Sequence, residues 1–298
     1  MTDSNYPNAD APASLCVLKL GGAEGVEHGP ALDDVAARVR AGEPTVIVHG
    51  GSAEANRLAR DVGHPATVLR SPSGHESRHT DPRTLELFVM ATALVNRRIV
   101  GELRRRGVSA VGLSGLDGGT LLGRRKAAIR DVRNGRVRIV RDDWSGSIEG
   151  VEPGAVHALL AAGYVPVLAP LAMTESGEPL NVDGDRAAAA IAAALRAESL
   201  VLLTGVPGLM ERFPDPASLI RTVPLAEVDA ALESAQGRMK RKVLAASEAL
   251  RPSQTISRDG LGVRRAVIAS ASIPEPLVAA LGGGGTQFIE HAAQEVNA

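Results

Sequence analysis

The chain reads as an α/β protein: a three-layer α/β/α open sandwich whose mainly parallel central sheet is covered on both faces. Three observations predict this. Short β-type apolar runs alternate with helix-period segments from Leu15 onward, the pattern of parallel strands joined by crossover helices. Two of the runs end in glycine pairs, in Lys19-Leu20-Gly21-Gly22 and His49-Gly50-Gly51-Ser52. The 298 residues supply ample core, yet aromatics make up only 2%, so alanine, leucine and valine must do the packing.

Taken in order, the expected strands are Val17–Leu20, Val46–His49, Ala110–Leu113, Val165–Ala169, Leu200–Thr204 and Ala266–Ala269. The expected helices are Ala31–Arg40, Thr84–Arg106, Pro153–Ala162, Arg186–Arg196 and Ala226–Leu250, the last interrupted at Gly237. Pro153 suits a first helical turn, where its missing N–H costs nothing. A further helix pattern starts at Ala53, with Ser52 placed as its N-cap. Residues 1–13 read as a disordered leader, Ser71–Asp81 as a long polar loop, and Arg251–Gly262 as a surface loop. Thr174–Pro179 reads as a boundary between two lobes, and Gly282–Gly285 as the start of C-terminal fraying. No solenoid repeat is present.

Composition narrows the function classes. A formal net charge of −1 argues against a general nucleic-acid binder, although it leaves room for a local basic face. The single cysteine, Cys16, lies in an apolar strand pattern, which excludes a disulfide framework and a cysteine-rich metal site. No apolar run approaches the roughly 18 residues of a membrane span, and Met1–Ala13 is polar rather than signal-like, so a soluble, cytoplasmic protein is expected.

The paired glycine loops form a phosphate-handling layout, because two strand ends can aim backbone N–H groups at one anion. Neither a Walker loop nor a dinucleotide fingerprint is present at these positions. Lys19 is costly to bury inside its strand unless it meets an anion; a lone strand lysine can also snorkel at a sheet edge, and the glycines beside it favour the anion. Arg78 can hold a carboxylate bidentately or remain an exposed loop arginine, and Asp81 would cap the helix after it. In Asn181-Val182-Asp183-Gly184-Asp185, two aspartates around a glycine at a helix start suggest capping, calcium or metal-nucleotide geometry, although no glutamate follows at the position an EF-hand requires. Thr204-Gly205-Val206-Pro207-Gly208 is a turn at a strand end that can border a nucleotide crevice. Gly237-Arg238-Met239-Lys240-Arg241-Lys242 is either a solvated basic face or a helix N-terminus offering one lysine to phosphates.

In this order the segments resemble the amino-acid kinase superfamily, in its acetylglutamate kinase branch, over nearly the whole chain. The resemblance implies the amino-acid kinase fold and an ATP-dependent kinase whose acceptor is a carboxyl group. It makes Lys19, Asp185 and Lys242 catalytic, with Asp185 organising the two lysines. It places Gly21, Gly22, Gly50 and Gly51 around the phosphoryl group in flight, Gly50 and Gly51 together with Arg78 and Asn181 at the substrate, and Thr204, Val206, Gly208 and Lys242 at ATP. Mg2+ is the implied ion, with no protein ligand assigned to it. Residues 14–172 would form the substrate and carrier lobe, and residues 173–298 the ATP lobe. A carboxylate is already ionised at pH 7 and needs no general base, so a catalytic histidine is not expected, and His49 is read as shaping its turn.

The Gly237–Lys242 segment, Ser71-Pro72-Ser73-Gly74, Ser77–Asp81, Gly112–Gly118 and Arg124-Arg125-Lys126-Ala127 are similar to kinases acting on 2-aminoadipate or glutamate attached to a small acidic carrier protein of the LysW type. In such enzymes the carrier masks the α-amino group and prevents cyclisation of the activated side chain. The implied carrier contacts are Arg124, Arg125 and Lys126. Composition points the same way: residues 124–141 hold eight Arg or Lys against one acid, Asp131, and the alternation at Val137–Val140 suggests a β-ribbon. Relatives carry Asp or Asn where this chain has Gly205, which implies one polar contact fewer near the nucleotide. The resemblance also implies a homodimer. The competing readings are acetylglutamate kinase acting on free N-acetyl-L-glutamate, and a non-catalytic nucleotide- or amino-acid-binding regulator on the same fold.

Overall fold

A computed structural model describes residues 14–22, 27–72, 74, 76–257 and 259–290. The elements in chain order are β1 (Cys16–Leu20), α1 (Gly29–Arg40), β2 (Thr45–His49), α2 (Ser52–Asp61), β3 (Val68–Arg70), β4 (Glu76–Arg78), α3 (Pro82–Arg105) and β5 (Ala110–Ser114). There follow β6 (Leu121–Arg125), β7 (Ile129–Arg133), β8 (Arg136–Val140), β9 (Gly146–Val151), α4 (Gly154–Ala161), β10 (Val165–Ala169), β11 (Leu171–Met173) and β12 (Pro179–Asn181). The rest are α5 (Gly184–Ala194), β13 (Ser199–Thr204), β14 (Thr222–Pro224), α6 (Val228–Ser234), α7 (Arg238–Leu250), β15 (Arg265–Ser270), α8 (Pro276–Leu281) and β16 (Thr286–Ile289).

All six expected strands lie in one eight-stranded sheet of order β14-β16-β15-β13-β1-β2-β10-β5. Its pairings are parallel except β15 with β16. Because side chains alternate along a strand, each strand feeds both faces. Val17, Val46, Val48, Leu200, Leu202 and Ile268 pack with the alanines of α5 and α7. Cys16, Leu18, Leu20, Ile47, Val201 and Val267 pack on the other face with α1, the end of α3 and α8. Alanine dominates the buried side of α5, from Ala187 to Ala193, and recurs in α7 at Ala245, Ala246 and Ala249. Small side chains let the two helices approach closely, and that approach positions the site.

Several local expectations are corrected. Gly51, not Ser52, occupies the N-cap of α2, and Pro153 is the N-cap of α4 rather than a residue of its first turn. The stretch Ser71–Asp81 is no plain loop: its Glu76–Arg78 part pairs antiparallel with β3, a partner that no local pattern reveals. Ser73 and His75 within it lie outside the described residues, as do the expected leader at 1–13 and Arg258 of the later loop. The glycines Gly282–Gly285 do not begin a frayed end; they turn the chain into β16, whose Phe288 is fully buried. Gly285 has φ +77, and a Cβ there would stand 2.4 Å from the carbonyl oxygen of Ile268, so only glycine fits. Thr174–Glu178 forms the turn between β11 and β12, which pair antiparallel. Within the large sheet, strands from before that turn (β1, β2, β10, β5) sit together on one side, and strands from after it on the other.

The expected ribbon is present as β7 and β8, joined by Asn134 and Gly135, both at positive φ as a two-residue hairpin turn of this kind requires.

Candidate active site

The β1 register decides where Lys19 goes. Two residues on from Val17, it faces α5 and α7, at the carboxyl end of its strand where parallel sheets place ligands. Its Nζ stands 2.6 Å from Oδ1 of Asp185, in the first turn of α5. Lys242, in the first turn and a half of α7, donates to both oxygens of the same carboxylate, at 3.1 and 2.9 Å. All three side chains are nearly dry: Lys19 is 7% exposed, Asp185 7% and Lys242 8%. Burial alone would push the Asp185 carboxyl up, but the two ammonium groups outweigh it and hold it far below the usual carboxylate range. Burial, then the like charge of Lys19, lowers Lys242 below the ordinary lysine value against the pull of Asp185. One carboxylate between two buried cations leaves a net positive charge, a site waiting for an anion.

The glycine loops meet beside this trio. Gly50 donates its N–H to the Leu20 carbonyl at 3.0 Å, and Ala53 donates to the Gly22 carbonyl at 2.9 Å. Backbones touch so closely that a Cβ on Gly22 would lie 2.5 Å from the Gly50 carbonyl carbon. The N–H groups of Gly21, Gly22 and Gly51 find no acceptor among the described residues, which is the arrangement of an anion cradle. His49 is fully buried, and its Nδ1 stands 3.1 Å from the Gly50 carbonyl oxygen. Burial pushes it down to about 4, so it is neutral at physiological pH.

Arg78 lies where β4 approaches the start of α2. Its guanidinium donates to the Ser52 carbonyl at 3.2 Å and to the side chain of Asn56, just beyond the second glycine loop. Asn181 donates from Nδ2 to Thr80 Oγ1 at 3.0 Å, and so lies beside the segment that follows Arg78. Asp81 caps α3, accepting from Thr84 N–H at 2.7 Å, and Asp183 caps α5. Capping therefore falls to Asp183, leaving Asp185 for the lysines.

Thr204, Val206, Gly208 and Lys242 line one pocket of 200 Å³, whose apolar walls include Leu209, Met210, Phe213 and Met239. No side chain fills the space at Gly205, where a Cβ would meet nothing within 4 Å. Gly237 is the N-cap of α7 with φ 52, so the basic cluster does open a helix.

The basic segment divides in two. Arg124 pairs with Glu149. Arg125 donates to the Asp143 and Arg141 carbonyls, both at 2.8 Å, and stacks 3.9 Å above the Trp144 ring, so it is built into the structure. Lys126, Arg130 and Arg136 are exposed. Asp131, 1% exposed, accepts from Arg133, Arg138 and the Arg70 N–H, and thereby fastens the ribbon to the hairpin that bears Arg78. The residues that sequence reasoning passed over are His28, Asn96, Thr80, Asp143 and Arg241. His28 acts through a contact seven positions back, and the others through contacts distant in the chain. Local signals existed for Thr80, in the Ser77–Asp81 segment, and for Arg241, in the basic cluster; the Arg241 guanidinium reaches Asp183 at 3.2 Å and the Glu76 carbonyl at 2.7 Å.

The model of the amino acid kinase family matches residues 14–257. This chain belongs to that family. Among its relatives, the [LysW]-aminoadipate kinase of Deinococcus radiodurans is 48% identical over 92% of this chain and 91% of its own length. That of Thermus thermophilus is 45% identical over 91% and 99%. An acetylglutamate kinase of Methanopyrus kandleri is 39% identical over 72% of this chain and 80% of its own. Among solved structures, N-acetylglutamate synthase from Neisseria gonorrhoeae with coenzyme A and N-acetyl-glutamate matches at TM-score 0.72 and 25% identity, over 94% of this chain, which spans 60% of that one. Carbamate kinase from Giardia lamblia bound to AMP-PNP matches at TM-score 0.62 and 17% identity, over 93% and 98%, a likeness of fold. The amino acid kinase fold that the family resemblance implies is thus the observed one.

Proposed function

We propose that this amino acid kinase transfers the γ-phosphoryl group of ATP to the side-chain carboxylate of 2-aminoadipate, or of glutamate, carried on a small acidic protein of the LysW type. The carboxylate oxygen forms the new bond to the γ-phosphorus as the bond to the β,γ-bridging oxygen breaks, giving an acyl phosphate and ADP. The observation that carries this reading is the buried Lys19–Asp185–Lys242 set beside two glycine loops whose Gly21, Gly22 and Gly51 N–H groups have no acceptor among the described residues. Such a set neutralises phosphate charge through a loose in-line transfer, and its one carboxylate is committed to the two lysines rather than to taking a proton, which an ionised acceptor carboxylate does not require. It also weighs against a silent regulator, since binding alone does not require two buried lysines on one carboxylate.

Arg78 and Asn181 would clamp the acceptor, Gly50 and Gly51 would line both acceptor and phosphoryl group, and the pocket at Thr204, Val206 and Gly208 would take the nucleotide. Residues 14–172 would then supply most of the acceptor and carrier side, and residues 173–298 most of the ATP side. Among the described residues no cluster of three or more His, Cys, Asp or Glu could hold a metal. Mg2+ would therefore arrive on the ATP phosphates, where it supplies charge neutralisation. Carrier docking is supported by the relatives' names and by the exposed cations of the ribbon. A homodimer is part of the same reading, supported by the outward Met90 and Leu94 of α3. So is a cytoplasmic location; among the described residues no helix is long and apolar enough to cross a membrane.

The test is acyl-phosphate trapping as the hydroxamate, with ATP and either the carrier conjugate or free N-acetylglutamate. Turnover of the conjugate alone, reduced by roughly a thousandfold in Lys19→Ala, is expected. Preference for free N-acetylglutamate would replace the acceptor, and undiminished turnover in Lys19→Ala would overturn the site.

A further inference from the structure

Glycine peptides flip at little cost, so a glycine loop that cradles phosphate needs something to keep its carbonyl lone pairs turned away. Here every carbonyl from Leu20 to Gly22 and at Gly50 and Gly51 is engaged. Three take backbone N–H groups: Leu20 from Gly50 at 3.0 Å, Gly22 from Ala53 at 2.9 Å, and Gly51 from Ala55 at 2.9 Å. The other two belong to the first glycine of each pair, and each meets an imidazole. His28 Nε2 stands 2.8 Å from the Gly21 oxygen, and His49 Nδ1 stands 3.1 Å from the Gly50 oxygen.

A trans peptide points its carbonyl and the following N–H in opposite directions. Pinning the Gly21 oxygen therefore fixes the Gly22 N–H, and pinning the Gly50 oxygen fixes the Gly51 N–H. A carbonyl can only accept, so the proton of neutral His49 lies on Nδ1 toward the glycine; its Nε2 stands 3.2 Å from Asn96 Nδ2, which donates to the Leu113 and Val167 carbonyls at 3.1 and 2.7 Å. His28 is half-buried, and burial, with the charge of Lys19, lowers its pKa against the opposing pull of the Gly21 bond. Its proton must sit on Nε2 to serve Gly21.

We propose that His28 is a positioning residue for phosphoryl transfer: it locks the Gly21–Gly22 peptide with its N–H toward the phosphoryl group, as His49 locks the Gly50–Gly51 peptide. The proposal rests on the reading above that these loops hold the group in transfer. His28 does not touch that group, and it acts through the glycine. The sequence holds no sign of this role, because seven residues separate His28 from its acceptor and the motif ends at Gly22.

The test compares His28→Phe, which keeps ring volume without a donor, with His28→Gln, whose amide nitrogen can reach the Gly21 oxygen, and with His28→Asn, whose amide falls short. In the hydroxamate assay Phe and Asn are expected to lower kcat about tenfold or more, with the KM for ATP within about twofold of the parent and the melting temperature unchanged, while Gln recovers most of kcat. Parental kcat in Phe or Asn overturns the role, and so does a folded Gln variant no better than Asn. Lys19→Ala run alongside separates the two claims. If it is inactive while His28→Phe is fully active, only the positioning role falls; if it is active, the reading of the site falls.

Discussion

Two ammonium groups share one carboxylate in a nearly dry space, so the protonation of Asp185 and of Lys242 bears on both folding and turnover. The signs differ. Asp185 has its folded value depressed, so the stability it contributes is complete above the ordinary carboxyl value of 3.8 and is lost as pH falls toward the folded value. Lys242 has its folded value lowered, so between that value and 10.5 the unfolded chain binds more protons, and stability rises with pH there. Activity runs the opposite way, because a neutral amine cannot balance phosphate charge. The kcat/KM for ATP, which reports the free enzyme, is therefore expected to fall on an alkaline limb below pH 10.5, while kcat, measured with the polyanion bound, holds to higher pH. A pH profile of kcat/KM that stays flat to that value would contradict the assignment. The residue types of this trio were legible in the chain, since a lysine beside a glycine pair and an aspartate at a helix start are local signals. Their convergence on a single carboxylate has no local signal, for 57 positions separate Lys242 from Asp185, and it was expected only through the family resemblance.

Elements bring those residues together, and small side chains set the distances. Alanines on α5 and α7 let the two helices close up on β1 and β13, and glycines let the loops after β1 and β2 touch. Gly22→Ala would drive a Cβ to 2.5 Å from the Gly50 carbonyl carbon, so one loop must retreat. The variant is expected to stay folded, since strands β1 and β2 end before the contact, while kcat falls about a hundredfold; parental kcat would show that loop contact is dispensable. The parallel strands were readable because each is a continuous apolar run ended by a turn signal. The β3–β4 hairpin and β16 were not. Each owes its strand character to a partner: Glu76–Arg78 is polar and pairs with β3, and β16 follows four glycines that read locally as a chain end.

Across the whole molecule, charge is sorted by position more than by amount. The chain's net charge of −1 conceals a ribbon whose Asp131 is buried under its own arginines while Lys126, Arg130 and Arg136 stay outside. Because Arg125 is tied to two carbonyls and to Trp144, reversing it would disturb the fold as well as the surface. Reversal at Arg124 and Lys126 is the cleaner experiment. It is expected to raise KM for the carrier conjugate severalfold and to flatten its dependence on salt, with kcat preserved; an unchanged KM would remove the steering role. The sequence by itself determined the strand and helix order, the glycine loops, the family and the inventory of charged residues, because alternation, turn chemistry and motif spacing are encoded over a few neighbouring positions. Only the tertiary structure decided how closely Lys19 and Lys242 approach Asp185 and how dry that space is, that Arg125 is tied to two carbonyls and to Trp144 while Lys126 is exposed, and that imidazoles hold the first glycine of each loop. Those outcomes depend on burial and on contacts between distant segments, which exist only once the sheet has assembled and its helices have packed.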